Sequence, residues 1–292
     1  MKPRTWRILK TIWILLAAFV TADLAGAVLY GPPRAIAIEW PTVYQTIDGF
    51  GSPTADNHCP IPRHLMDFFY SSSGIGLNLI RVKVYPDFES CAAETTYCPP
   101  YVQAAGGNSA TVWAAMPASM KTSQAFAGGA ILGNPASYLE LSAIMVSYFK
   151  LLTGTHHIPI YTLSVQNEPD MDISRYESTA WTAPQIHDYL PYLKNALNVA
   201  RYGDTKLMVA EQSSWKFDRA TDAMCDPSTA RLVDILAAHT LRAERVPSSP
   251  PDPAWTANRR VWETDMSCGG EPTMALSATR SRLRVSMRRG AR

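Results

Sequence analysis

The 292-residue chain lacks the features that would mark it as a nucleotide, metal or nucleic-acid binder. No G-x-G-x-x-G or G-x-x-x-x-G-K-[ST] turn follows any candidate strand, which removes the support for a nucleotide-binding sheet. No C-x-x-C pair occurs among the five cysteines, and the adjacent His156 and His157 read as loop surface. No metal site and no cofactor is therefore expected. A formal charge of +2, with much of the positive charge at the two ends, leaves the central body nothing with which to hold nucleic acid. What is present is apolar: 47% of the residues, enough to fill a sizeable core.

The first thirty residues differ from the rest. Lys2, Arg4, Arg7 and Lys10 form a basic head, Thr11 to Val20 an apolar run, and Ala25 to Ala27 the small residues that a signal peptidase prefers. Residues 1–30 read as a signal peptide or as an uncleaved membrane anchor, since a stretch of about 20 apolar residues can span a bilayer. Either reading places the body outside the cytoplasm, secreted, periplasmic or extracellular, and a membrane is a partner only if the segment stays uncleaved. In that compartment Cys91 with Cys98, and Cys225 with Cys268, could close loops, although connectivity cannot be read from spacing.

Short β-rich runs recur between helical stretches. Strands are expected over Tyr44–Gly49, Leu77–Val84, Thr111–Ala115, Ile160–Val165, Lys206–Ala210, Val233–Ala238 and Arg260–Thr264. One helix is predicted from its cap Asn134, with Pro135 in the first turn, Leu141, Ile144, Met145, Tyr148 and Leu152 on one face, and Gly154 as its stop. A second opens with Thr182 and Gln185 at capping-box spacing, should kink at Pro191, and ends at Gly203. Strands alternating with helices imply an α/β fold with a parallel sheet. Seven such strands suggest a (β/α)8 TIM barrel over residues 40–270 that lacks its last unit. Residues 271–292, with six arginines from Arg280 onward and no strand-like alternation, read as an atypical tail, a truncated or frame-shifted end.

In a barrel the functional residues sit where strands end and βα loops begin. Asn167 and Glu168 occupy such a place after the fourth strand in "LSVQNEPD", and Pro169 should hold Glu168 on an extended backbone, out of the helical region. "VQNEPD" resembles the acid/base motif of the retaining glycosidases of clan A. The surrounding chain resembles glycoside hydrolase family 30 over roughly Tyr44 to Gly270. The supporting pieces occur in order: "IDGFGSPTA", "GLNLIRVKV", "VWAAMPASMK", "YESTAWTAPQIHDYL", "AAHT" and "VWETD".

The resemblance implies a pair of carboxylates about 5–5.5 Å apart across a sugar bond, one donating a proton and the other attacking the anomeric carbon. Glu168 matches the acid/base. The family's nucleophile is a glutamate, and "WETD" places Asp265, one methylene shorter, at that position, with Glu263 two residues earlier as the alternate. Positions two apart on a strand share a face, so either could point into the cleft. By the same likeness Asn167 matches the amide that contacts the sugar 2-hydroxyl, and Arg81 the arginine that keeps the nucleophile ionised. Trp113 is a candidate sugar-stacking platform and His239 a hydrogen-bonding residue in the cleft.

The implied partner is a polysaccharide or glycoside, and the loop wording is closer to the xylan-cleaving branch than to the glucosylceramidases or β-1,6-glycanases. The shortened nucleophile leaves a second reading open, a carbohydrate-binding pseudoenzyme. A chain missing a strand leaves a third, a fragment with unpaired edges.

Overall fold

A computed structural model describes residues 46–53, 63–84, 109–112, 129–155, 157, 159–171, 179–240 and 252–266, all within one unit, Gln45–Gly269. The N-terminal segment, Trp113, the cysteine pair Cys91 and Cys98, Cys268 and the arginine-rich tail lie outside the described residues. Cys225 is an exposed free thiol.

Among the described residues seven parallel strands pair strictly in chain order: β1 (Gly51–Pro53), β2 (Leu79–Val84), β3 (Ser109–Val112), β4 (Thr162–Ser164), β5 (Lys206–Gln212), β6 (Ile235–Ala238) and β7 (Arg260–Glu263). Parallel neighbours need a crossover, and between them lie α1 (Arg63–Tyr70), α2 (Pro135–Phe149), α3 (Ala183–Val199), α4 (Thr221–Cys225), α5 (Pro227–Ala230) and α6 (Pro253–Thr256). The consecutive order has no reversal, so the sheet is not of the doubly wound kind, whose strand order switches at its ligand site.

Each strand alternates between two faces. Ile80, Val82, Leu163, Leu207, Val209 and Leu236 are fully buried in the main core with the helices. The facing layer comes from Tyr138, Leu141, Met145 and Phe149 of α2 and Ile186, Tyr189, Leu190 and Leu193 of α3. Each such side chain contributes roughly 1.5–3 kcal/mol by leaving water. On the other face Met208, Ile235, Ala237 and Trp262 form a separate cluster. The sheet curls around that face: the Trp262 ring stacks on Tyr161, just before β4, at 6.0 Å between centroids, and its indole N–H donates to Asp48, ahead of β1, at 2.9 Å. Arg260 of β7 also reaches Asp48, at 3.3 Å.

Several boundaries depart from the sequence expectation. The first strand begins at Gly51, beyond the expected Tyr44–Gly49, because two glycines let the chain press against β2: a Cβ on Gly51 would lie 2.7 Å from the Leu79 carbonyl oxygen, and one on Gly49 would strike the Asn78 amide. The third strand starts earlier than Thr111, at Ser109. Gly154 does not stop the first long helix. After Phe149 the chain widens into a π-helical segment, Lys150–Thr155, that runs through the glycine. The second long helix passes through Pro191 and ends at Val199, before Gly203, and its capping box is complete, with Thr182 and Gln185 each bonding the other's backbone N–H. Among the described residues no helix is long and apolar enough to cross a membrane.

Candidate active site

The carboxyl ends of β2, β4, β5, β6 and β7 bring a connected set of polar side chains to the concave face. Arg81 stands on β2 between the outward Ile80 and Val82, so it points inward, and it is 95% buried. A buried guanidinium must find acceptors, and those of Arg81 include Asn167, Glu211 and Asp265. Its Nη2 donates to Asn167 Oδ1 at 2.5 Å and to Glu211 Oε2 at 3.3 Å, and its Nη1 to Asp265 Oδ2 at 3.1 Å. One cation thus ties together the chain leaving β4, the end of β5 and the chain leaving β7.

Glu168 follows Asn167 and is almost fully buried, with Oε1 3.3 Å from His239 Nδ1 just past β6. Its backbone differs from the extended form expected ahead of a proline: φ is 46°, in the left-handed region. Pro169 excludes the right-handed helical region, and two backbone bonds select the turn, the Glu168 N–H donating to the Glu211 carbonyl at 3.0 Å and the Glu168 carbonyl accepting from Met171 at 3.0 Å. A non-glycine residue held there costs on the order of 1–3 kcal/mol, and such strain collects at functional sites. Asp170 then fastens the loop by accepting from the Ser213 N–H and hydroxyl, both at 2.9 Å.

Glu211 is a site residue that the sequence reading missed. Met208 faces the concave cluster, so in a regular strand Glu211 would face outward with Leu207 and Val209. A bulge between Ala210 and Gln212 inverts this: Ala210 (φ 76°) and Glu211 (φ 47°) are both left-handed, Ala210 joins the outer core, and Glu211 turns inward. There it is wholly buried, and its Oε2 accepts from the Ser164 hydroxyl at 2.8 Å as well as from Arg81. Its Oε1 lies 3.7 Å from His239 Nε2. Burial pushes the Glu211 carboxyl up, but Arg81 and His239 outweigh burial and hold it well below the usual carboxylate range. Burial likewise lowers His239, and its contacts with Glu168 and Glu211 outweigh that, so its affinity for a proton is raised.

The two candidates near β7 part company. Glu263 is exposed, takes a hydrogen bond from the Thr240 hydroxyl and is raised, chiefly by burial of part of its carboxyl. Asp265 lies just beyond β7, its carbonyl accepting from the Thr240 N–H at 3.1 Å, and its carboxylate reaches Arg81. The structure therefore gathers Arg81, Asn167, Glu168, His239 and Asp265, and leaves Glu263 at the rim. Trp113 is outside the described residues. Among the described residues no group of histidine, cysteine, aspartate and glutamate could hold a metal ion. One cavity of about 630 Å³ lies elsewhere, at the amino ends of β4 and β5, lined by Tyr161, Tyr202 and Lys206 among others.

Neither a protein-family model nor any curated protein sequence matches the chain. Solved structures do. The chain is similar to the glycoside hydrolase family 30 subfamily 8 xylanase of Clostridium acetobutylicum, at 29% identity and a TM-score of 0.64 over 80% of this chain and 59% of that one. It is also similar to SrfJ of Salmonella typhimurium, at 17% identity and a TM-score of 0.66 over 78% of this chain and 58% of that one. A family 30 endoxylanase of Clostridium papyrosolvens aligns at 19% identity and a TM-score of 0.61 over 75% of this chain and 56% of that one. The latter two are similar in fold alone. The chain spans less than two thirds of the length of each. The resemblance to family 30 carried by the ordered motifs is thus also a resemblance of fold.

Proposed function

We propose that residues 40–270 form a (β/α)8-type barrel, exported by the N-terminal segment, and act as a retaining hydrolase of β-linked polysaccharide, of the xylan or glucuronoxylan type. The observation that carries this reading is the Arg81 junction, which places Asn167, beside Glu168, and Asp265 on one guanidinium at the carboxyl ends of their strands. The 29% identical neighbour is a xylanase, which supports the substrate class.

Glu168, protonated, gives its proton to the glycosidic oxygen as the bond to the anomeric carbon breaks, and Asp265 forms a bond to that carbon from the opposite face. Arg81 holds the Asp265 carboxylate in place by an ion pair at 3.1 Å. Asn167 spends its carbonyl oxygen on Arg81, so its NH2 remains to donate to a sugar hydroxyl. Glu168, now a carboxylate, takes a proton from water, which displaces Asp265 and restores the original anomeric configuration.

The test is hydrolysis of xylan and of aryl β-xylosides, with the configuration of the first product read by proton NMR. Retained configuration supports the reading. Inversion overturns the assignment of Asp265 as nucleophile, and binding of xylan without turnover in both this chain and its Asp265→Glu variant favours a carbohydrate-binding role instead.

A further inference from the structure

Glu211 has no role in the scheme above, yet the chain adopts two successive left-handed residues to bring it inside. Its neighbours say what it does there. Its Oε2 is used twice, by Ser164 and Arg81. Among the described residues neither its buried Oε1 nor His239 Nε2, 3.7 Å away, makes a hydrogen bond. The opposite ring nitrogen of His239 faces Glu168. Carboxylate, imidazole and carboxyl therefore stand in line.

We propose that Glu211 is a positioning residue that keeps a proton on His239 Nε2, leaving Nδ1 to share the single remaining proton with Glu168. The proposal rests on Glu168 being the acid/base. With Glu211 ionised, a bare Nε2 would set a lone pair against an anion, so the neutral ring carries its hydrogen on that side. Nδ1 then accepts from a protonated Glu168. When the Glu168 proton has gone to the leaving oxygen, Glu168 is left as a carboxylate beside a ring whose other nitrogen stays occupied, ready to take a proton from water. Net charge over Glu168 and His239 changes by one in this step, and neither Glu211 nor Arg81 changes state. The charged and titratable groups that face His239 are Glu168 after β4, Glu211 on β5, Arg81 on β2 and Glu263 on β7. Of these, Glu211 faces Nε2, at 3.7 Å.

The arrangement is testable without turnover. In histidine-labelled wild-type protein, nitrogen NMR of His239, assigned against a His239→Gln variant, should show Nε2 protonated at every pH at which the protein is folded. A neutral ring with Nε2 bare overturns the proposal. In Glu211→Gln the neighbouring negative charge is lost, so His239 should titrate lower, and the alkaline limb of kcat/KM should move down by about one pH unit. Its activity loss should also grow as the leaving group worsens, which a defect confined to packing does not produce. An unmoved limb and a uniform loss across leaving groups count against it. The wild-type spectrum needs no variant, so a Glu211→Gln chain that fails to fold leaves the test standing. Absence of hydrolysis in wild type would sink the glycosidase reading while the NMR result still decides the proton's place.

Discussion

Arg81 Nη1 and Asp265 Oδ2 lie 3.1 Å apart, joining the second strand to the chain that leaves the seventh across 184 residues of sequence. The contact fixes where the proposed nucleophile sits. Lengthening it by one methylene should therefore improve reach without loss of the ion pair. Asp265→Glu is expected to raise kcat on an aryl β-glycoside by about tenfold to a hundredfold, the scale set by misplacements of about 1 Å. Asp265→Asn should lower it by about a thousandfold or more. A larger loss from Glu263→Gln than from Asp265→Asn would transfer the role to Glu263.

Glu168→Gln removes the proposed proton donor but keeps the side chain's shape. Hydrolysis of substrates with poor leaving groups should fall about 10²–10⁴-fold, while activated aryl glycosides, which need little protonation, should still form the glycosyl-enzyme. Added azide should then speed turnover, because it attacks without a general base. Equal losses on both substrate types, with no response to azide, would remove Glu168 from the acid/base position.

Arg81 neutralises a buried carboxylate, so Arg81→Met should destabilise the fold by about 3–5 kcal/mol in urea denaturation, through the charge left unpaired on Glu211. The pH dependence has a definite sign. The Glu211 carboxyl is lower in the folded chain than its ordinary 4.5, so its contribution is present above that pH and lost as pH falls below it. Arg81→Met should flatten this acid-side loss. Urea curves whose midpoints fall equally steeply below pH 4.5 in both proteins would show that Arg81 is not what depresses Glu211.

His187 on α3 bridges two carboxylates, Asp188 at 2.8 Å and Asp226, the cap of α5, at 2.9 Å. Its hydrogen bonds to Asp226 and then Asp188 raise it above 6.5, while Asp226 is lowered to about 2. A raised histidine stabilises below its unfolded value, and that contribution disappears as pH rises through the folded value. The thermal midpoint of His187→Gln should therefore lie below wild type at about pH 5.5 and close on it by about pH 9. A gap that stays constant with pH would show that packing, not the charge on His187, accounts for the difference.

Much of this layout could be read before any coordinates. The alternation of β-rich runs and capped helices implies a parallel sheet, the polar break after the fourth strand marks Asn167 and Glu168, and the likeness to family 30 marks Arg81, His239 and Asp265; the fold brings the five together. What could not be read depends on backbone irregularity. Strict alternation sends Glu211 outward, and only the bulge at Ala210 turns it in. No residue type there signals positive φ, since neither alanine nor glutamate favours it. The same holds for Glu168, whose turn is set by a carbonyl on the neighbouring strand. A carboxylate closing an apolar strand in "LMVAEQ" was the available signal, of the same kind as "LSVQNE".

The stack of Trp262 on Tyr161 makes β4 and β7 a pair of lever arms with a common fulcrum. Their far ends carry Glu168, roughly 23 Å from Tyr161 at strand rise, and Asp265, roughly 10 Å from Trp262. On the longer arm a tilt of about 3° at the fulcrum displaces the Glu168 carboxylate by about 1 Å, nearly what one methylene of side chain supplies. The gap between Glu168 and Asp265 thus depends on a ring stack that neither carboxylate touches, and a smaller ring in place of Trp262 would alter it.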